Sequence, residues 1–209
     1  MTITSAILAA LAGYLLGSIP SGMIVARLYR NVDLTAHGSG RTGATNVLRT
    51  LGPGAAAIAF GGDFLKGVFA TGAAMLIAGA YPGEPWLDLI AGAAAVLGHT
   101  FSPWIGFKGG RGVVTGFGAT TVVAPQLMLM TAVIGIALVA LTRYVSLGSV
   151  VASSLGGLLM VGYAIVTREP AWAVWGILIA GFIDVAHRDN IRRLLSGTER
   201  KLGETVKLA

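Results

Sequence analysis

The sequence contains no cysteine and little charge, and each shortage excludes a class of protein. Without cysteine there is no disulfide framework, no thiol nucleophile and no thiolate metal site. Charged residues make up 11% of the 209 residues, whereas a soluble domain carries roughly 25%. The chain therefore has too little polar material to cover the surface of a water-soluble globule.

Apolar residues make up 55% of the chain, and its mean hydropathy is +0.77. In lipid, helices are the default structure because each helix satisfies its own backbone hydrogen bonds. The 31 glycines fit this setting, since they let membrane helices approach closely. We predict an all-α, polytopic integral membrane protein that forms a single transmembrane domain over residues 1–209.

Long apolar runs mark the predicted spans. The runs are Thr4–Leu28, one that ends near Ala80, Trp86–Thr100, Val113–Thr142, Leu147–Val166 and Ala171–Ala186. The second run ends at a turn, Tyr81–Pro85, and is too long for one simple span. We expect it to contain a shallow entry segment or a bend at Gly61-Gly62.

The run Val113–Thr142 is either one tilted helix or two short helices that meet near Pro125. Two helices make seven spans, and the basic residues then collect on one side, as the positive-inside rule requires. These residues are Arg27, Arg30, Arg41, Arg49, Lys108, Arg111, Arg143 and the cations of the tail. We therefore predict seven spans, with the N-terminus outside and the C-terminus in the cytoplasm. Residues 113–123 are short for a span of about 20 residues and would need shielding by neighbouring helices.

A glycine-rich polar segment, GSGRTGATN, covers residues 38–46 and is followed by Arg49. Glycines let several backbone N–H groups turn toward one point, and a helix that begins near Thr45 would present its positive end to an anion. Arg49 can add a bidentate contact to phosphate. The segment is either a phosphate-binding loop or a flexible loop before an ordinary helix, and it lacks the GxxxxGK[ST] pattern of a P-loop.

Other polar segments lie on the same predicted side. FKGGRG at 107–112 is either a second anion-binding segment or an ordinary basic loop, and GSIPSG at 17–22 is either a helix kink or part of a site. The basic tail from His187 either binds lipid headgroups or adds His187 and Asn190 to the site. Asp63 and Lys66, three residues apart within an apolar run, should pair with each other or contact substrate.

Three segments resemble the motifs of the bacterial acyl-phosphate-dependent glycerol-3-phosphate acyltransferase family. They are GSIPSG at 17–22, GSGRTGATNVLRTLG at 38–52 and GHTFSPWIGFKGGRGVVTGFG at 98–118, and residues 187–199 resemble the family's C-terminal signature. The resemblance spans nearly the whole chain. It implies a multi-pass protein of the bacterial cytoplasmic membrane, with seven transmembrane helices and an active site that faces the cytoplasm.

The resemblance also implies a reaction. A fatty acyl group passes from acyl phosphate to the 1-position of glycerol 3-phosphate, and lysophosphatidic acid and phosphate are formed, without a metal or another cofactor. The expected partners are these two small molecules and membrane lipid, not nucleic acid, and we expect a monomer. A small-anion transporter and a lipid-binding scaffold are the alternatives that composition and charge leave open.

Carried over position by position, the resemblance implies roles for individual residues. The implied catalytic residues are Ser39, Arg49, Lys108, His187 and Asn190. The implied substrate- or phosphate-binding residues are Gly38, Gly40, Thr45, Asn46, Gly109, Gly110, Arg111 and Ser146. The chain departs from the family pattern at Arg41-Thr42, Ser102 and Arg111, which leaves the contributions of positions 41 and 111 open.

Overall fold

A computed structural model describes residues 1–79 and 84–204, and every regular element in these ranges is a helix. The α-helices are α1 (Ile3–Ser18), α2 (Ser21–Arg30), α3 (Ala44–Leu51), α4 (Pro53–Ala78), α5 (Pro85–Thr100), α6 (Val113–Val123), α7 (Pro125–Thr142), α8 (Val145–Thr167), α9 (Pro170–Ala186) and α10 (Arg188–Leu195). One-turn 3₁₀ helices lie at Leu34–Ala36 and Pro103–Ile105. The all-α prediction is confirmed, while residues 81–83 of the predicted turn lie outside the described residues.

Several helices are long and apolar enough to cross a membrane. Within the described part of the chain there are four candidates, namely Ile3–Arg30 (α1 with α2), α4, α7 and α8. The pair α9 and α10, bent by 61°, makes up to five. Large apolar side chains project outward from these helices, with Leu76, Leu141 and Val166 each more than 80% exposed. This exposure fits a lipid environment, and the count of seven spans stays a prediction.

The predicted interruptions fall close to proline and glycine. Ala124, which lies between α6 and α7, has the non-helical angles φ −144° and ψ 64°, so the run 113–142 is two helices. The second apolar run is divided at Gly52, where φ is +90°, into α3 and α4. Of the two alternatives predicted for this run, the short helix α3 corresponds to an entry segment before the span, and α4 continues as a helix through residues 61 and 62.

The chain forms two compact units, one consisting chiefly of Met1–Val122 and the other of Val123–Leu202. In the first unit, α1 packs on α5 at glycines: a Cβ on Gly13 or Gly17 would overlap the backbone of Ala91 or Ala95. The short helix α6 packs on α4 in the same way, because Gly67 lies against the backbone of Thr115. Close helix approach through small residues is the packing expected in lipid.

The second unit contains α7 to α10. Gly135 of α7 faces Gly148 of α8, and Gly157 of α8 faces Gly176 of α9, so that a Cβ at any of the four would crowd the neighbouring helix. The basic helix α10 contacts both α8 and α9. The interhelical contacts of this unit therefore use the same glycine packing as those of the first.

Candidate active site

The glycine-rich loop before α3 has a backbone that depends on glycine. Gly38 and Gly40 have φ angles of +61° and +66°, in the left-handed region that side chains with a Cβ rarely adopt. A Cβ on Gly38 would also overlap the Oδ1 atom of Asn46. Both glycines are therefore required by the course of the loop.

Asn46, which is 2% exposed, holds this loop together. Its Oδ1 accepts a hydrogen bond from the backbone N–H of Ser39 at 3.0 Å. Its Nδ2 lies within 2.8–3.2 Å of three backbone carbonyl oxygens, those of Leu34, His37 and Arg41. Both the acceptor oxygen and the N–H donors of the Asn46 amide are therefore used on the loop.

Helix α3 begins directly after the loop, close to the predicted start at Thr45. Its N-cap residue, Gly43, has no side chain to cap the helix, and a Cβ there would meet nothing within 4 Å. The positive end of a helix therefore faces open space beside the loop. Thr45 in the first turn, Arg49 in the second and Ser39 in the loop are half-buried.

Residues 108–112, the KGGRG segment, lie against the C-terminal end of α5. The N–H of Gly109 donates to the Thr100 oxygen at 3.0 Å, and that of Gly110 donates to the His99 oxygen at 3.2 Å. A Cβ on Gly109 would overlap the same His99 oxygen. The paired glycines thus let the segment lie flat on the helix end, with Lys108 exposed on one side and Arg111 half-buried on the other. Helix α6 begins two residues after Arg111, as the sequence predicts.

The GSIPSG motif contacts both of the other motifs. A Cβ on Gly22 would overlap the carbonyl oxygen of Thr42, which places the start of α2 directly on the glycine-rich loop. On the other side, Ser102 Oγ donates to the Ser18 oxygen at 2.6 Å, and Trp104 Nε1 donates to Ser18 Oγ at 2.9 Å. The break between α1 and α2 is therefore a kink, and it also joins the second and third motifs.

An apolar cluster supports this junction. Met23 of α2, Leu34 beside the loop and Val47 of α3 are buried together with the start of α4, and Ile105 of the third motif packs against them. The three motifs, which are far apart in sequence, are therefore parts of one packed structure within the first unit.

Charged side chains are buried beneath the junction. Lys66 Nζ lies 2.9 Å from Asp63 Oδ1 and 2.7 Å from His99 Nδ1, and it donates to the Ile19 oxygen at 2.9 Å. The predicted pairing of Asp63 with Lys66 is confirmed. The histidine is a third member that the sequence did not connect with the pair.

In the second unit, Glu199 is the centre of a polar cluster. Its Oε1 accepts from Ser146 Oγ at 3.0 Å and from Asn190 Nδ2 at 2.7 Å, while its Oε2 pairs with Arg193 Nε at 2.7 Å. Burial raises the pKa of Glu199, but the hydrogen bonds from Asn190, Arg193 and Ser146 outweigh it, and the pKa is lowered from its usual value. The carboxylate thus ties the tail to α8 and α10.

His187 lies at the junction of α9 and α10, where it ends one helix and precedes the other. The residue is 3% exposed, and its Nδ1 lies 2.8 Å from the Ile183 oxygen. His187 precedes α10, and Asn190 belongs to its first turn. Both residues are buried near the start of this helix, as their spacing of three residues suggests.

Comparison with known proteins shows the family. Residues 7–197 match the family model described as Glycerol-3-phosphate acyltransferase. The chain belongs to the glycerol-3-phosphate acyltransferase family. The glycerol-3-phosphate acyltransferase 1 of Deinococcus radiodurans is 44% identical over 207 residues, which are 99% of this chain and 100% of the relative. A glycerol-3-phosphate acyltransferase of Thermus thermophilus is 43% identical over 205 residues, which are 98% of each chain.

Solved structures from the glycerol-3-phosphate acyltransferase family have the same fold. The crystal structure of PlsY (YgiH), an integral membrane glycerol 3-phosphate acyltransferase, in its glycerol 3-phosphate form matches with a TM-score of 0.85 and 36% identity, covering 95% of this chain and 96% of that one. Its lysophosphatidic acid form matches with a TM-score of 0.82 at 36% identity, covering 96% of both chains. This member of the family is accordingly a multi-pass integral membrane protein.

The predicted site residues of this family member are divided between its two units. The first unit contains Gly38, Ser39, Gly40, Thr45, Asn46, Arg49, Lys108, Gly109, Gly110 and Arg111, and the second contains Ser146, His187 and Asn190. Within the first unit, the segments that carry these residues meet at GSIPSG. Within the second, Ser146 and Asn190 share the carboxylate of Glu199.

Sequence reasoning about this acyltransferase family member missed two central residues. In the sequence, Glu199 appeared only as the end of the tail signature, and His99 only as part of the segment GHTFSPWIGFKGGRGVVTGFG. The signals that could have identified them are a carboxylate nine residues after Asn190 and a histidine at the end of a predicted helix. Lys66 lies 33 residues from His99 and Ser146 lies 53 residues from Glu199, so no local pattern connects these two pairs.

Proposed function

We propose that this protein transfers a fatty acyl group from acyl phosphate to the 1-hydroxyl of glycerol 3-phosphate, which yields lysophosphatidic acid and inorganic phosphate. The observation that carries the proposal is the match over 95% of the chain to a glycerol 3-phosphate acyltransferase known in glycerol 3-phosphate and lysophosphatidic acid forms. One form contains the acceptor of the proposed reaction, and the other contains its acylated product.

The chemistry of the first unit suits two phosphorylated substrates. Two substrate phosphates repel each other, so a protein that joins these molecules must supply positive charge and N–H donors at fixed positions. Arg49 follows the open N-terminus of α3, and Lys108 precedes the glycines that lie on α5. We propose that these cations hold the substrate phosphates, together with Ser39, Thr45 and Arg111.

The glycines and Asn46 have a supporting part in this proposal. Gly38 and Gly40 provide the loop conformation, and Asn46 holds it through its four contacts. The hydrogen bonds of Gly109 and Gly110 determine the position of Lys108 relative to the end of α5. Positioning of this kind determines rate because a displacement of about 1 Å can reduce rate by about 100-fold.

The transfer step needs no acyl-enzyme. The 1-hydroxyl oxygen forms a bond to the acyl carbonyl carbon, and the bond from that carbon to the phosphate oxygen breaks. Phosphate leaves with the bonding electron pair, and the hydroxyl proton passes to a phosphate oxygen or to His187 as general base. An acyl phosphate is a mixed anhydride and is already activated, so the proposed protein contribution is orientation and charge stabilisation.

The polar residues of the second unit complete the proposal. We assign Ser146, His187 and Asn190 to the glycerol phosphate, because all three are buried polar residues next to a carboxylate or a helix junction. Glu199 holds the orientation of Ser146 and Asn190 through Oε1. The assignment predicts that a change at Asn190 alters the KM for glycerol 3-phosphate.

Purified protein supplied with acyl phosphate and glycerol 3-phosphate tests the reaction. We expect lysophosphatidic acid and phosphate to appear in equal amounts without added metal or other cofactor. A small-anion transporter would instead move phosphate or glycerol 3-phosphate into vesicles and would form no product. Transport without product would refute the proposed function.

Substitution of the two cations tests the site. Arg49→Ala and Lys108→Ala should each lose most of the activity while the protein keeps its fold, because each removes a charge opposite a substrate phosphate. Arg168→Gln, on the exposed loop between α8 and α9, is the matched control and should keep its activity. Activity equal to wild type in both cation variants would exclude this assignment.

We further propose seven spans in the bacterial cytoplasmic membrane, with the N-terminus outside, the site facing the cytoplasm and the chain acting as a single monomeric transmembrane acyltransferase domain. Because the chain lacks cysteine, single introduced cysteines can report the side of the membrane. Cysteines at Arg30, Pro103 and Lys201 should be labelled from the cytoplasm, and one at Glu169 from outside. If the cysteines introduced at positions 103 and 201 are labelled from opposite sides of the membrane, the protein has six spans instead.

A further inference from the structure

Three ionisable side chains that the proposed reaction does not use are buried side by side in the first unit. Asp63 and Lys66 of α4 are 2% and 4% exposed, and His99 near the end of α5 is 6% exposed. Lys66 Nζ lies 2.9 Å from Asp63 Oδ1, and His99 Nδ1 lies 3.4 Å from the same carboxylate atom. We refer to these residues as the buried triad.

The lysine of the buried triad has three polar neighbours, all of them in the protein. Lys66 Nζ donates to the Ile19 oxygen at 2.9 Å, lies 2.7 Å from His99 Nδ1 and forms an ion pair with Asp63 Oδ1. These contacts are directed into the protein. His99 Nδ1 thus faces both the ammonium group of Lys66 and, at 3.4 Å, the Asp63 carboxylate; we take it as the acceptor for Lys66.

The contact with Ile19 connects the triad to the first motif. Ile19 lies in the break between α1 and α2, next to Pro20, where the helix cannot supply its usual hydrogen bonds. On one side of this break Ser18 bonds with Ser102, and on the other Gly22 packs on the Thr42 oxygen. Lys66 therefore fixes the point at which the motifs are joined.

The contact of His99 connects the triad to the third motif. The carbonyl oxygen of His99 accepts the Gly110 N–H at 3.2 Å, and a Cβ on Gly110 would overlap the Nε2 atom of the same ring. One edge of the imidazole thus meets Lys66, and the other lies on the backbone two residues after Lys108. A rotation of this ring would displace the KGGRG segment.

We infer that the buried triad is a positioning device for Lys108. It holds the imidazole of His99 in one orientation, this ring supports the KGGRG segment, and Lys66 links the same support to the junction at Ile19. The inference rests on the proposed function, in which Lys108 binds a substrate phosphate. Asp63 balances the charge of Lys66, since an unpaired cation among the membrane helices would be costly.

A matched pair of substitutions at His99 tests the inference. Asn places an amide oxygen near the position of Nδ1 and keeps an acceptor for Lys66, whereas Gln places its amide near Nε2 and removes that acceptor. Asn, however, has no atom at the Nε2 edge that lies on Gly110, so each variant keeps only one of the two contacts that the ring joins. We expect each variant to lose up to about 100-fold in kcat/KM, the loss typical of a displacement of about 1 Å, with KM for a substrate raised and the thermal unfolding temperature close to that of wild type.

A distance measurement provides a readout that does not depend on activity. Spin labels on cysteines introduced at Ala36 and Phe107, both exposed in the first unit, report the separation of the second and third motifs. The distance distribution should be narrow in the otherwise unchanged chain, and broadened or shifted in His99→Asn and in His99→Gln. If His99→Gln does not fold, the charge-balanced double variant Asp63→Asn with Lys66→Met, which removes the donor to His99 and Ile19, takes its place.

The outcomes separate this inference from the proposed function. If the unaltered protein transfers no acyl group but the distance distribution responds to His99→Gln, the proposed function fails and the positioning device remains. If the protein is active and either variant equals wild type in kcat/KM and in the distance distribution, the inference is overturned. It is also overturned if the activity lost by His99→Gln matches the fraction of unfolded protein.

Discussion

Replacement of Asn46 by aspartate is the sharpest test of how the glycine-rich loop is built. The change keeps the size of the side chain and one acceptor oxygen for the Ser39 N–H. It converts the donor group that serves the Leu34, His37 and Arg41 carbonyls into a second acceptor. Three backbone oxygens would then face a carboxylate oxygen in a position that is 2% exposed.

The expected magnitude follows from these contacts. The Asn46 amide has two N–H donors, which three carbonyl oxygens share. Each hydrogen bond contributes about 1 kcal/mol, and leaving a buried acceptor unpaired costs about 1–3 kcal/mol. We therefore expect Asn46→Asp to weaken the ordered loop by about 3 kcal/mol or more. If the loop must be ordered to hold a phosphate, a loss of this size raises the apparent KM for the substrate by up to about 100-fold.

The assay measures KM and kcat for glycerol 3-phosphate and acyl phosphate, together with thermal unfolding, on purified Asn46→Asp. Thr50→Val is the matched control on the same helix, since Thr50 is also buried and its hydroxyl makes one bond, to the Asn46 carbonyl oxygen at 2.8 Å. That control should lose about 1 kcal/mol at most and keep its KM. If Asn46→Asp has the KM and the stability of wild type, the loop does not depend on Asn46 and the reasoning is wrong.

Two further predictions concern helix packing and the tail. Gly17→Ala should destabilise the protein by about 1–3 kcal/mol, because its Cβ would overlap the backbone of Ala95. The control Gly61→Ala on α4 meets no atom within 4 Å and should be neutral or stabilising by up to about 1 kcal/mol. Unfolding of both variants in detergent measures the difference, and equal stability would refute the packing of α1 on α5. Since the folded pKa of Glu199 lies below its ordinary value of 4.5, its carboxylate contributes stability above about that pH and loses it as the pH falls through the lower folded pKa. Glu199→Gln should therefore flatten the decrease of stability on acidification, measured by unfolding between neutral and acidic pH, and an unchanged pH profile would exclude this role.

Local patterns were enough to predict most of the helices. The runs 86–100, 147–166 and 171–186 correspond within two residues to α5, α8 and α9, because apolar length is a property of the sequence alone. The division at Pro125 followed from the cation count and agrees with the non-helical Ala124. The second run was expected to contain a shallow entry segment or a bend at Gly61-Gly62. The short helix α3, which ends at Gly52 with its positive φ, precedes the span, and α4 continues as a helix through both glycines because glycine is tolerated within a membrane helix.

Composition and motifs by themselves indicated a helical membrane protein and the family to which it is similar, and they predicted which segments bind phosphate. These conclusions depend on residue types and on spacings of a few positions. Only the tertiary structure decided that Asn46 supports the loop with its whole side chain, that Glu199 joins Ser146 to Asn190, and that His99 completes the pair Asp63 and Lys66. The reason is geometric: whether a buried polar group finds its partner depends on the packing of distant helices, and periodicity along one helix does not contain that information.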